Sequence, residues 1–346
     1  MNHRVTKSQN LLDENGMIVE EGWASSPVWK YERDKIHASG WRIKEWDYYA
    51  ITDTANGWTL CATISDLGFA ALYSVSLIDY NLARFAQQDV MKFFTFGKTG
   101  LSATSTEDSS VSVSNKKLSI SFAKSGTSRH IVISVPALVL PDGRKGLEAD
   151  VTLSQPKALD SLNIATSWKE NRKAFYLNQK VNCMAATGTV KFGSDAVELG
   201  SKSAWAVLDW GRGRWTRENT WYWGSASGLA DGHKFGFNLG YGFSDRTPAS
   251  ENALFYDNKL HKLEEVEFHI PSDSFIKPWS ITSSDNRLEL TFTPVVDRCS
   301  NTDFKIIKSL QHQVFGHFSG KAVLDDGTVL EIKDLPGFAE KVYNKW

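Results

Sequence analysis

Apolar and polar residues alternate along short segments throughout the sequence, and this period of two constrains the fold more than any other feature. Strict alternation predicts strands with one buried face, because successive strand side chains point to opposite sides of a sheet. Turn-forming pairs such as Asn56-Gly57 and Asp231-Gly232 separate many of these segments. The clearest examples are residues 59–65, 71–77, 117–122, 130–135, 234–241, 266–270, 287–293, 314–318 and 328–332.

The same pattern leaves little room for helices. The segment with the best helical pattern is Asn81–Lys92. We therefore predict an all-β protein with few short helices and more than about 40% strand, against roughly 20–25% in an average protein. Many short strands joined by tight turns are typical of antiparallel β-barrels and β-sandwiches.

The length of 346 residues predicts two domains. One set of strands ends after the polar region 166–172, and a new set begins at Thr189. We place the boundary between them, with an N-terminal β domain at 1–183 and a C-terminal β domain at 184–346. A short echo supports the division, because an Asp–Trp pair occurs near the start of each half, at Trp46-Asp47 and at Asp209-Trp210.

Charge and cysteine content exclude several classes of protein. The chain has 39 basic and 40 acidic residues and no basic run, which argues against a nucleic-acid partner. Its three cysteines are odd in number and far apart, so we expect free thiols rather than a disulfide framework or a zinc site. No motif predicts a metal or a cofactor. Without an apolar leader or a run of 18 apolar residues, we expect a cytoplasmic protein with no transmembrane segment. The oligomeric state stays open.

Aromatic residues are unusually frequent, with 13 Trp, 19 Phe and 10 Tyr. Because a buried indole N–H needs a hydrogen-bond partner, this density predicts a thick aromatic core, an aromatic-lined cavity, or both. The densest stretch is Asp209–Trp223, which holds four tryptophans and three arginines. Arginine and tryptophan packing that closes a barrel end would explain it, and so would a polar cluster beside an aromatic cavity.

The candidate site residues are chosen from this stretch and from other segments in which polar and aromatic residues occur together. A desolvated carboxylic acid beside aromatic rings can donate a proton, and three carboxylates qualify as candidate catalytic residues: Asp209, Glu218 and Glu251. The candidate ligand-binding residues are aromatic, basic or amide side chains: Trp46, Tyr48, Trp210, Arg212, Arg214, Trp221, Trp223, Asn238, Tyr241 and Asn252.

Two geometric expectations accompany these candidates. Trp221 and Trp223 are two residues apart and should share one strand face. A bend at the neighbouring glycines would let Arg212 or Arg214 fold back onto Asp209, which would keep the carboxylate ionised. If the arginines point away instead, Asp209 faces an apolar cavity and becomes a proton donor.

Several motifs, in order along nearly the full chain, resemble a bacterial family of unknown function, number twenty-eight-zero-four in the domain-of-unknown-function series. The matching segments are Leu11-Leu12-Asp13, Lys44-Glu45-Trp46-Asp47-Tyr48-Tyr49, Ser65-Asp66-Leu67-Gly68-Phe69, Asp209-Trp210-Gly211-Arg212-Gly213, Asn238-Leu239-Gly240, Glu251-Asn252-Ala253, Phe315-Gly316 and Gly337-Phe338-Ala339-Glu340. The family is distantly similar to a lipocalin-like (calycin) superfamily that includes hydroxyneurosporene synthase and AttH-type proteins. The resemblance implies two lipocalin-like β domains and an apolar ligand within or between them.

Three functions remain open from the sequence. The first is binding of an apolar or ring-shaped small molecule, such as a lipid or isoprenoid, in an aromatic-lined β cavity. The second is a cofactor-free enzyme of the hydratase, isomerase or cyclase type that uses a buried carboxylic acid. The third is a carbohydrate-handling protein in which tryptophans stack on sugar rings.

Overall fold

The all-β prediction is confirmed. The computed structural model describes residues 2–303 and 308–345. Strands make up 64% of the structure, and the helices of the described part are two single 3-10 turns, Arg33–Lys35 and Gly40–Arg42. None of the helices in the described residues is long and apolar enough to cross a membrane.

The first fifteen strands occupy the chain up to residue 214. They are β1 (Gln9–Asn10), β2 (Gly22–Ala24), β3 (Trp29–Lys30), β4 (Ile43–Asp53), β5 (Trp58–Asp66), β6 (Ala70–Asp79), β7 (Arg84–Phe93), β8 (Ser109–Ser114), β9 (Ser119–Ser125), β10 (Ser128–Val139), β11 (Lys145–Ser154), β12 (Leu162–Trp168), β13 (Asn171–Phe192), β14 (Asp195–Leu199) and β15 (Ala204–Arg214).

Thirteen of these strands form the first sheet. Its main path runs β7-β6-β5-β4-β15-β13-β11-β10-β9-β8, with β12 and β14 also paired to β13 and β2 paired to β12. The two remaining strands, β1 and β3, form a small parallel pair. The sheet is antiparallel and curls into a half-barrel around a core of aliphatic and aromatic side chains.

The second sheet is built from the rest of the chain. Its strands are β16 (Glu218–Ala230), β17 (His233–Tyr241), β18 (Ala253–Tyr256), β19 (Lys259–Lys262), β20 (Val266–His269), β21 (Trp279–Ser283), β22 (Leu288–Asp303), β23 (Lys308–Val323) and β24 (Val329–Lys345). They pair in the order β19-β18-β17-β16-β24-β23-β22-β21-β20 and enclose a second core. Two further apolar clusters contain residues of both sheets and mark the junction between the half-barrels.

Strand β13 connects to both sheets at a bulge. The register between β13 and β15 shifts between Val181 and Met184, and Cys183 has a left-handed φ of 60°. At this point the Cys183 N–H and the Asn182 amide donate to Ser227 and Ser225 of β16, at 2.9 and 2.8 Å. The boundary predicted between residues 183 and 184 falls at this bulge, whereas the chain passes from the first sheet to the second between β15 and β16.

The helix predicted over Asn81–Lys92 is wrong. This segment begins with a turn in which Ala83 has a left-handed φ of 51°, and it continues as β7, which pairs with β6 along its length. The strand lies at the edge of the sheet and is largely exposed, so its side chains show no clean alternation that would reveal a period of two.

Candidate functional site

A buried ion pair between two neighbouring strands lies at the centre of the junction. Lys180 of β13 and Asp209 of β15 are direct cross-strand partners, and the Lys180 ammonium is 2.9 Å from the Asp209 carboxylate. The Asn178 amide donates to the same carboxylate at 2.5 Å. The Lys180 ammonium also lies over the ring of Trp223, 4.0 Å from its centroid. Both charges are therefore compensated locally although both side chains are buried.

Glu251 approaches this pair from the loop between β17 and β18. Tyr176 donates its hydroxyl to Glu251 at 3.3 Å. The carboxyl lies directly over Gly240, where a Cβ atom would be 2.1 Å from the Glu251 Oε1, so a larger residue there would displace the Glu251 side chain. Burial raises the pKa of Glu251 to about 7; the Lys180 charge opposes this shift and the Asp209 charge adds to it.

Glu340 of β24 is a second buried carboxyl in the same region. Its two oxygens accept hydrogen bonds from the Trp221 indole at 2.8 Å and from the Gln313 amide at 3.0 Å. Burial raises the pKa of Glu340 to about 7, and the Asp209 charge contributes, against the effects of Trp221, Arg298 and Lys180. Three buried carboxyl groups therefore share one buried lysine, and two of them are partly protonated at neutral pH.

Aromatic rings extend from these carboxyls toward the surface, and we call this cluster the aromatic wall. It consists of Trp46, Trp168, Tyr176, Trp215, Trp221 and Phe243. Trp215 stacks on Phe243 at 5.4 Å between ring centroids and meets Trp221 edge to face at 5.6 Å. Trp46 and Trp221 are partly exposed, so the wall reaches solvent.

The wall depends on a glycine of β15. A Cβ atom at Gly211 would lie 2.0 Å from the Trp46 ring, so the indole packs directly on the β15 backbone. A surface cleft of about 380 Å³ lies beside the other end of the wall. Its lining includes Lys169, Ser244 and Asp245, which follow Trp168 and Phe243 in the chain.

Seven of the candidate residues meet in this region. Trp223 donates its indole N–H to Asn238 at 2.7 Å, and Asn238 donates to the Glu251 carbonyl, also at 2.7 Å. Tyr48 packs edge to face against Trp223 at 5.7 Å. The members of this group are Trp46, Tyr48, Asp209, Trp221, Trp223, Asn238 and Glu251. Asn252 lies next to it and fixes the loop by accepting from the Gly240 N–H at 2.7 Å.

Five other candidates lie elsewhere. Trp210, Arg212 and Arg214 point to the opposite face of β15, where Arg212 lies 4.1 Å over the Trp210 ring and pairs with Asp47 at 3.0 Å. Tyr241 stacks on Tyr222 beside the second core. Glu218 is exposed and pairs with Lys345 at 3.1 Å.

The predicted arginine partner of Asp209 is therefore wrong, and the partner is Lys180. The reason is that β15 remains a regular strand, so Asp209 and Arg212, three residues apart, point to opposite faces. Gly211 and Gly213 do not bend the chain; they admit the Trp46 ring and the Phe175 carbonyl at close range.

Sequence reasoning missed Tyr176, Asn178, Lys180, Gln313 and Glu340. One signal was available, because Tyr176, Asn178 and Lys180 alternate with apolar or amide residues on β13 and so share one strand face. Glu340 is the last residue of the family-like segment Gly337-Phe338-Ala339-Glu340, but no feature of the sequence shows that its carboxyl is buried.

The two curled antiparallel half-barrel sheets define a protein of lipocalin-like fold. The chain belongs to the family described as Domain of unknown function (DUF2804), whose model matches residues 2–346. No curated protein matches the chain in sequence.

Two solved structures share the fold at low sequence identity, and a third gives a weaker match. CghA, crystallised with Sch210972, is 10% identical with a TM-score of 0.56, and the match covers 88% of each chain. Kievitone hydratase from Nectria haematococca is also 10% identical, with a TM-score of 0.50 and 88% of each chain covered. An AttH protein (NE1406) from Nitrosomonas europaea is 13% identical, with a TM-score of 0.48 and coverage of 87% of this chain and 92% of the other.

Proposed function

We propose that the protein binds an apolar, ring-containing small molecule against the aromatic wall at the junction of the two half-barrels. The observation that carries the proposal is the wall itself, which is partly exposed at Trp46 and Trp221 and ends at buried polar groups. Ligand sites are typically concave and apolar with a few polar groups that fix orientation. CghA, crystallised with Sch210972, is a protein of this fold that holds a small organic molecule.

Dye binding tests the wall. We expect 1-anilinonaphthalene-8-sulfonate to bind the folded protein and Trp221→Leu to weaken this binding at least tenfold, which corresponds to about 1.4 kcal/mol. Trp41→Leu is the matched control, because Trp41 is an exposed indole outside the wall. Equal dye affinity in the two variants, with Trp221→Leu less stable, would show that the wall is only packing.

Extraction of the purified protein identifies the natural ligand class. Denaturation followed by mass spectrometry should release an apolar ring compound from the wild type and less of it from Trp221→Leu. A released sugar would contradict the proposal and favour carbohydrate handling.

The two buried carboxyls favour a second candidate function, cofactor-free acid–base catalysis at the same site. A carboxyl with a pKa of about 7 is present in both protonation states at neutral pH, as a general acid or base requires. Glu251 and Glu340 are the groups placed for this role, and the nearby indole rings can stabilise developing positive charge. Asp209, paired with Lys180, acts on both groups through its charge.

Isotope exchange distinguishes catalysis from binding. The extracted compound, incubated with the protein in deuterium oxide, should gain carbon-bound deuterium if a carboxyl transfers a proton to it. Glu251→Gln or Glu340→Gln should reduce the rate at least a hundredfold, within the range for general acid–base catalysis. Glu218→Gln, which removes an exposed carboxyl, should not change it. If the protein binds the compound but no deuterium is incorporated, binding is supported and catalysis is not.

A further inference from the structure

Three side chains able to ligate a metal lie together on the second sheet, apart from the carboxyl cluster. Asp297 and Cys299 are two residues apart on β22, and His312 of β23 is the direct cross-strand partner of Cys299. One potential ligand atom from each residue lies within 4.8 Å of the others. The sequence predicts no metal site, because Cys299 and His312 are thirteen positions apart and only strand pairing brings them together.

The two nitrogens of His312 face different partners. Nδ1 is 2.8 Å from the Asp297 carboxylate, and Nε2 is 3.9 Å from the Cys299 sulfur. A metal-bound imidazole usually donates its other N–H to a carboxylate, which fixes the tautomer and the ring orientation. At typical bond lengths and the tetrahedral angle, the sulfur and nitrogen ligands of one zinc ion lie about 3.6 Å apart. The 3.9 Å between the Cys299 sulfur and His312 Nε2 is within about 0.3 Å of that value, so a small side-chain movement would let the two atoms share an ion.

Neighbouring groups hold the site in place and leave it accessible. The ring of Phe275 stacks on His312 with 3.8 Å between centroids and 8° between planes. Cys299 is exposed, so an ion can approach from solvent. The second Asp297 oxygen, Oδ1, is buried and finds no hydrogen-bond partner among the described residues.

We propose that Asp297, Cys299 and His312 form a binding site for a divalent cation of the zinc type. Cys299 and His312 Nε2 are the ligands, and Asp297 orients the imidazole. The Cys299 thiol releases its proton to solvent as the metal–sulfur bond forms. Thiolate and imidazole are ligands that Zn²⁺ prefers, and the remaining positions are open to water or to an added ligand.

Cobalt(II) is the spectroscopic probe for this site. Metal-free protein titrated with Co²⁺ should develop a thiolate-to-cobalt charge-transfer band that saturates at one equivalent and disappears when Zn²⁺ is added. Cys299→Ser should abolish the band and Asp297→Asn should weaken binding about 10–100-fold, as is typical for the partner of a metal-bound histidine. His317→Gln is the matched control, because His317 lies on the same strand but outside the cluster.

A second measurement needs no variant. Zn²⁺ should slow modification of Cys299 by Ellman's reagent in the native protein, in which the other two cysteines are buried. The proposal fails if Co²⁺ produces no charge-transfer band, if the band survives Cys299→Ser, or if Zn²⁺ leaves the rate of Cys299 modification unchanged.

Discussion

Replacing Asp209 by asparagine tests the charge balance at the junction. In the native protein the Lys180 side chain is 4% exposed, and its ammonium lies 2.9 Å from the Asp209 carboxylate. Asp209→Asn preserves the shape of the side chain but leaves the lysine charge without its partner. Breaking a buried ion pair in this way costs roughly 3–5 kcal/mol. That is a large part of the roughly 5–15 kcal/mol that stabilises a typical protein.

The loss of stability caused by Asp209→Asn should depend on pH, because the Asp209 charge raises the pKa of both Glu251 and Glu340. Without that charge, both carboxyls ionise at lower pH and can replace the missing negative charge beside Lys180. At pH 8 both are ionised, so we expect a loss near the lower value, about 3 kcal/mol. At pH 5 both are largely protonated, so we expect a loss near the upper value, about 5 kcal/mol.

Urea unfolding followed by tryptophan fluorescence, at pH 5 and pH 8, measures these losses. Glu218→Gln is the control, because it breaks an exposed ion pair and should leave stability unchanged at both pH values. A loss from Asp209→Asn that is below about 1 kcal/mol, or that is larger at pH 8 than at pH 5, would refute the assigned charge network.

Three further predictions concern single residues. Glu251 has a pKa of 4.5 when unfolded and about 7 when folded, so the stability that it contributes below pH 4.5 is lost as the pH rises through 7. The unfolding free energy of the wild type should therefore decrease between pH 4.5 and pH 8, and in Glu251→Gln this decrease should be smaller by about 3 kcal/mol. An equal decrease in the two proteins would contradict the raised pKa of Glu251. Gly211→Ala should destabilise the protein by about 1–3 kcal/mol in urea and increase the exposure of Trp46, since its Cβ would overlap the indole; a neutral effect would show that Trp46 moves freely. Ellman's reagent should modify only Cys299 rapidly in the native, metal-free protein and all three thiols after non-reducing denaturation; a smaller final number would reveal a disulfide.

The sequence predicts the class of fold because side-chain alternation is a local property. Segments such as 130–135 and 288–293 alternate in burial as predicted, since one face of each packs on a core and the other meets solvent. Trp221 and Trp223 share one strand face, and both face the junction, as their spacing predicts. The edge strand β7 was not predicted because neither of its faces is well buried, so its sequence shows no alternation of apolar and polar residues.

The site was predictable only in part, because its chemistry depends on strand pairing. Asp209 could be selected because Trp210 follows it directly, and Glu251 because it begins the family-like segment Glu251-Asn252-Ala253. Lys180 could not be selected as the partner of Asp209, because their pairing follows from the register between β13 and β15. Likewise, Glu340 is placed at the junction by the pairing of β24 with β16, a relation between distant segments.

The pairing of β4 with β15 has a consequence for how the chain folds during synthesis. Ile43 pairs with Arg214 and Asp53 with Ala204, so one edge of β4 stays open until β15 has been made. At roughly 5–20 residues per second, this interval lasts about 10–30 s. An open strand edge invites pairing with other chains, and charged side chains discourage it. Lys44, Glu45 and Asp47 place three charges along this edge, and each is buried in the finished protein. We therefore expect these three charges, which are costly to bury in the finished protein, to discourage pairing between nascent chains until β15 has been made.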